Sequence, residues 1–439
     1  LSATGLFADL TDLSPAPGLL PYEPNLTFWS DYAVKRRWFT IPNSGQMTWQ
    51  RDANWTYPAG TLLVKHFDLE LTRGNPATKR RIETRVLVKG DAGFYGVSYR
   101  WNDAQTEATL VPDEGAEFDL SITENGTPRT QHWAIPGRTS CLTCHTPQSG
   151  GPLSFNTRQL NRDNVIFGYS GNQLSTLATA GYFANAVAAP TTLPRHLRPE
   201  ETLYSAEARA RSYLAVNCSY CHRADGTVSG AFWDGRPQLT LAQTNLINGP
   251  VTNNGGNPAN HPIVPGDLAH SIVYNRVAVQ NGFTRMPPLA TSELDPAGIA
   301  LLAEWIAALG ARSDYAAWRL ATFGSATSPD GAETADPDGD GQDNRAEFIS
   351  FTNPLDSTSA LRVTLTPAPS GTAIDVSFVL PPDRLWSVET SNDLATWAPW
   401  AVPGIDGLPR SAASVITLTA TAPTSESPRY FFRLLLSEP

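Results

Sequence analysis

The chain has 439 residues, 41% of them hydrophobic and 17% charged, so it holds more than one ordinary core and has the balance of a globular protein. A net charge of −10 argues against nucleic acid or an anionic membrane surface as the main partner, and no apolar run reaches the length of about 18 residues that a bilayer span needs. The 33 glycines and 36 prolines favour turn-rich β structure and long connections over helical bundles. A start at Leu1, with neither an initiator Met nor a signal-peptide core, is read as a mature form whose export signal has been removed.

Residues 1–135 read as a β-sandwich-like domain rich in Trp. Leu62 to Phe67 and Ile82 to Val88 are β-prone runs, and Tyr95, Val97, Tyr99 and Trp101 alternate with smaller or polar residues. Turns are expected at Asp91-Ala92-Gly93 and Asn125-Gly126. Residues 136–199 then hold Cys141-Leu142-Thr143-Cys144-His145 in a Gly-, Pro- and Ser-rich stretch, followed by an irregular connection with one short helix.

Residues 200–312 read as a compact helical domain. Ser205 is a plausible N-cap for a helix from Ala206 to Val216, which delivers Cys218-Ser219-Tyr220-Cys221-His222. Asp295 and Pro296 start a second helix, ended by Gly310, with Ile299, Leu302, Ile306 and Leu309 at helical spacing. The long loop between the two helices carries Arg285-Met286-Pro287-Pro288. This order of helix, motif, Met-Pro loop and terminal helix resembles that of class I cytochromes c.

The two motifs use all four cysteines. C-x-x-C-H is the attachment pattern of haem c: two thiols match the two vinyl groups, and the adjacent His reaches the iron. The competing readings are a pair of Cys2His zinc sites or structural dithiols. The expectation is two haems c, with Cys141, Cys144 and His145 holding the first and Cys218, Cys221 and His222 the second. Of the two methionines, Met47 and Met286, the latter is expected as the distal iron ligand of the second haem; the alternative is a gap-filling core Met. For the first haem, His66 lies on one strand face with Leu62 and Val64, which suits a buried ligand. His132, His196, His261, His270 or an open site remain alternatives.

Residues 313–358 contain a helix and a calcium-type loop, from Asp336 to Glu347. Asp336, Asp338 and Asp340 fall at positions 1, 3 and 5, Gly341 at 6, the Gln342 carbonyl at 7, Asn344 at 9 and Glu347 at 12. A single such loop resembles the structural clamps of dockerins and thrombospondin repeats; an acidic solvated linker is the alternative. Residues 359–439 return to β patterning and read as a C-terminal antiparallel β-sandwich. The whole is expected to be a multidomain α+β protein.

Several segments carry a wider resemblance: Leu1 to Phe7, Phe28 to Asp31, Gly60 to Phe67, Tyr99 to Gln105, Asn156 to Asn161, and Arg209 through Cys218 to His222. On these, residues 1 to about 310 resemble a poorly characterised family of exported bacterial dihaem c-type cytochromes. Similar regions occur fused to quinoprotein sugar dehydrogenases, which implies an electron-accepting role. The expectation is therefore an electron carrier in the periplasm or at the cell surface, with a quinoprotein dehydrogenase or another cytochrome as redox partner. A dihaem peroxidase or oxygenase with one open iron, or a subunit of a self-assembling extracellular cytochrome, are the alternatives.

Overall fold

The structure is a computed structural model; it describes every residue except 167, 229–231, 370–372, 401, 403–404, 422–430 and 439. Contacts divide the chain into two units, one of residues 1–199 with 210–303, the other of 200–209 with 304–439.

The first unit is organised by a six-stranded antiparallel sheet in simple chain order: β1 (Leu20–Pro21), β2 (Val34–Thr40), β3 (Leu62–Glu70), β4 (Lys79–Gly90), β5 (Gly93–Trp101) and β6 (Ala108–Leu110). Tight hairpins connect the later strands, as at Asp91-Ala92. A two-stranded ribbon follows, β7 (Gly115–Glu124) and β8 (Thr127–Pro136). Its turn places Asn125 and Gly126 at φ of 50° and 77°, the left-handed pair that a two-residue hairpin requires.

Side chains alternate across the sheet. One face packs Phe39, Leu63 and Leu87 against Trp55, Tyr57, Phe155, Leu160, Leu174 and Leu177. The other packs Trp38, Val64, Val86 and Trp101 against the N-terminal segment through Leu1, Leu6, Phe7 and Leu13. At about 1.5–3 kcal/mol for each large side chain buried, these two layers account for much of the sheet's stability.

The separate helical cytochrome-like domain expected at 200–312 is not what forms. The described residues are mainly sheet, with eighteen strands against eight α-helices. Within 200–312 the α-helices are Ala206–Asn217, Ile272–Ala278 and Pro296–Gly310, and residues 210–303 belong to the same unit as the large sheet. The helix ends match the sequence reading, with Ser205 Oγ accepting from Ala208 N and Asp295 Oδ1 from Gly298 N. What prevents a helical domain is the stretch between them. It is built from turns and left-handed asparagines such as Asn245 and Asn248, and from Asn253-Asn254-Gly255-Gly256, whose side chains bond local backbone instead of sustaining helix.

The second unit has two three-stranded antiparallel sheets. One is Thr364–Pro367, Ala373–Leu380 and Ser414–Thr421; the other is Ala398–Pro399, Leu385–Ser391 and Phe431–Ser437. Their shared core is Val376, Phe378, Leu380, Trp386, Val388 and Leu418.

Candidate functional site

β8 runs directly into the first Cys motif. Gly137 turns the chain into one helical turn, Arg138–Cys141, and the amide of His145 donates to the carbonyl of Cys141 at 3.0 Å. The second motif repeats this turn at the end of helix Ala206–Asn217, where the His222 amide donates to Cys218 O at 2.9 Å. Each motif thus presents two thiols and an imidazole from one tight turn.

Both motifs line a single, mostly apolar cavity of about 280 Å³ in the first unit. Cys141, Cys144, His145, Cys218, Cys221, His222 and Met286 all contribute to its wall. The four thiols are free, and the sulfurs of Cys144 and Cys221, from different motifs, lie 3.8 Å apart. That contact pulls Cys221 down to about 6, while the same contact and burial push Cys144 up. Burial raises Cys218 to about 12.

Two glycines make this packing possible. A Cβ at Gly96 of β5 would come within 3.0 Å of Cys141 Sγ. Gly151, at φ 77°, would drive a Cβ to 2.2 Å from the Phe94 ring; without one, its carbonyl accepts from His145 Nδ1 at 2.7 Å. That bond fixes the imidazole with Nε2 free to bind a metal, as the outer hydrogen bonds of ligating histidines do. His222 lies flat against Trp233, centroids 4.2 Å apart, and its buried Nδ1 has no partner. Burial lowers both imidazoles to about 4, so both are neutral and available as ligands.

His66 is not brought to this cavity. It is buried on the opposite sheet face, where it meets the edge of Trp101. Trp101 Nε1 donates to Thr84 Oγ1 at 3.0 Å, Thr84 lies 2.8 Å from His66 Nδ1, and His66 Nε2 lies 2.9 Å from Asp68 Oδ1. Both ring nitrogens are therefore engaged, and the assignment of His66 as an iron ligand is corrected. The physical reason is the two-residue period of the strand: sharing a face with Val64 put His66 against the N-terminal segment, and it is Lys65 that faces the cavity. The other histidines are not at the cavity either. His132 is exposed beside Asp119, His196 is buried elsewhere, and His261 and His270 bond Gly249 O and Asp267. Met47 is core, packed among Phe39, Trp55 and Phe183.

Sequence reasoning missed the cavity's charged row, Arg37, Lys65 and Arg85. The sequence held only a faint signal: each of the three cations adjoins one apolar residue, Trp38, Val64 or Val86, in a stretch that forms a strand.

In the second unit the acidic loop closes as its spacing implies. Asp336 accepts from Gly339 N and Gly341 N, Asp338 from Asp340 N, and Asp340 from Gln342 N. Carboxylate oxygens of Asp336, Asp338 and Asp340 approach one another within 4.8 Å. Asp338 Oδ2, Asp340 Oδ2, Asn344 Oδ1 and Glu347 Oε2 are buried with no hydrogen-bond partner. Asn344 is held by its amide, which donates to Asp330 O and Ala332 O. Burial first, then Asp338 and Asp340, push Glu347 up to about 7. Four orphaned oxygens at calcium-loop positions are a donor set that fits a hard divalent cation.

No family model, curated protein or solved structure matches this chain.

Proposed function

We propose that this chain is an exported one-electron carrier that holds two haems c on Cys141 with Cys144 and on Cys218 with Cys221. The observation that carries the reading is the convergence of both C-x-x-C-H turns on one mostly apolar cavity, with neutral, half-buried imidazoles beside the thiols. The fit rests on the chemistry of the donors, because the cavity's volume is at the lower edge for small-molecule sites. Attachment adds each S–H across a vinyl group, the proton going to carbon, and needs no oxidant. When bound, haem c would supply a one-electron couple for exchange between a reduced and an oxidised partner. His145, oriented by Gly151, and His222 would ligate the irons, Met286 would offer a soft thioether, and the surrounding apolar wall would exclude water. The orphaned oxygens of the acidic loop would hold calcium as a structural clamp, with Asp336 and the Gln342 carbonyl completing the set.

Intact mass of the denatured full chain tests this. It should exceed the polypeptide by two haems; a gain of one or none refutes the assignment.

One observation favours a second reading. Among the described residues, no histidine besides His145 and His222 lines the cavity, and Met286 is its one methionine. Two irons would then share one soft distal ligand, leaving one open for ligand chemistry of the peroxidase or oxygenase kind. Stoichiometric carbon monoxide binding by the unaltered reduced protein at one haem per chain would select it. Replacing Met286 with His should lower the potential of a single haem and leave the other unchanged.

A further inference from the structure

The cavity carries positive charge that the chain does not balance. Arg37 on β2, Lys65 on β3 and Arg85 on β4 are register neighbours, Arg37 opposite Lys65 and Lys65 opposite Arg85. All three line the cavity. Like charges placed directly opposite on a sheet repel, and burial strengthens the repulsion. Arg85 is paired, its guanidinium forking onto Glu83 at 2.6 and 2.8 Å. Arg37 and Lys65 are not. Among the described residues neither has a carboxylate partner; Arg37 is 5% exposed with Nε unbonded, and the Lys65 ammonium rests 4.7 Å from the Phe67 ring. Burial, then Arg37, hold the Lys65 amine well below its usual value. The row is flanked by two further lining residues, Tyr22, whose amide donates to Arg37 O, and Ser98, opposite Arg85.

Buried unpaired cations cost several kcal/mol each unless an anion meets them. An occupant of this cavity must therefore be apolar in its body and anionic at one edge. Strands about 4.8 Å apart set the cations at a spacing that separate carboxylates can bridge. We infer that Arg37 and Lys65, beside the Glu83-paired Arg85, form a carboxylate-binding row that holds the propionates of haem attached in this cavity. The inference rests on the haem reading above. The row then also tunes the iron, because cations beside the macrocycle disfavour the ferric state, which has one positive charge more, and so raise the potential.

The test uses the full chain matured with haem, and reads intact mass, optical spectrum and midpoint potentials. Arg37→Leu and Lys65→Met should keep two haems in the mass. Each should lower the reduction equilibrium constant of at least one haem about tenfold, about 59 mV for one electron. Lys65→Arg, which keeps the charge, should retain the parent potentials and spectrum. Unchanged potentials in both neutral variants with haem attached overturn the row. A high-spin iron appearing in Lys65→Arg also overturns it, since the amine would then be an iron ligand. If the neutral variants lose haem, Arg37→Lys and Lys65→Arg decide: potentials that fall although the charge is kept refute the inference. A parent protein with no added mass fails the haem reading itself, which the potentials do not address.

Discussion

The cavity of the first unit and the acidic loop of the second are opposites in charge and alike in logic. In the cavity, buried Arg37 and half-buried Lys65 are cations with no anion among the described residues; in the loop, Asp338, Asp340 and Glu347 hold buried oxygens with no hydrogen-bond partner. Other buried polar groups are matched within the chain, as Asp31 is by Ser292 and the Glu293 amide, and Gln159 by Leu26. Uncompensated buried charge is costly, and a cluster of it of one sign calls for something outside the polypeptide to complete it. The sign of the surplus then states the sign of the missing partner.

The largest expected effect comes from the loop. With calcium at a thousandfold excess over Kd, the second unit should gain about 4 kcal/mol over the calcium-free protein. Replacing Asp340 with Ala should abolish that gain. Thermal unfolding with calcium or with a chelator measures it, and protease cleavage between 325 and 358 should rise when calcium is withdrawn. Haem spectra should stay the same throughout. Identical unfolding in calcium and chelator, after exhaustive removal of metal, would break the parallel between the two sites.

A smaller effect separates matched from unmatched buried groups. His66 is as buried as Arg37, yet Thr84 and Asp68 satisfy both its nitrogens. His66→Ala should therefore cost about 2–4 kcal/mol of stability, through the cavity and the two orphaned partners. It should leave the spin state and ligand binding of both haems as they were. Fast cyanide or carbon monoxide binding gained in this variant would restore His66 as an iron ligand and sink the correction.

How much of this was legible follows from the range over which each signal acts. The two C-x-x-C-H turns, the helix starts at Ser205 and Asp295 and the Asn125-Gly126 hairpin are local, written in five to twelve adjacent residues, and the structure forms each of them. The acidic loop from Asp336 to Glu347 is local in the same way. What local pattern could not give was pairing. The segment after His222 carried helix signals at both ends, so it read as a helical domain, but its asparagine and glycine turns bond themselves and the stretch joins the unit of the sheet. The period of two placed His66 with Val64 correctly and did not say which face would meet the motifs. That depends on register among β2, β3 and β4, and the same register builds the cation row.

The smallest effect is a surface pair with both partners present. His132 stands on β8, its side chain 47% exposed, 3.0 Å from Asp119 and 3.6 Å from Glu117. The hydrogen bond to Asp119, then Glu117, raise its folded pKa above the ordinary 6.5. A raised histidine pKa stabilises the fold fully below 6.5 and loses that contribution as pH climbs through the folded value. Water and salt screen so exposed a pair, so His132→Gln should cost under about 1 kcal/mol at pH 5.5 and nothing measurable at pH 9. Raising the ionic strength at pH 5.5 should shrink even that difference. Haem spectra should be unaffected at both pH values, since His132 lies outside the cavity wall. A spectral change in His132→Gln, or a stability loss that persists at pH 9, would show that the exposed pair acts on the cavity, and that matching a charge with its partner does not by itself make it silent.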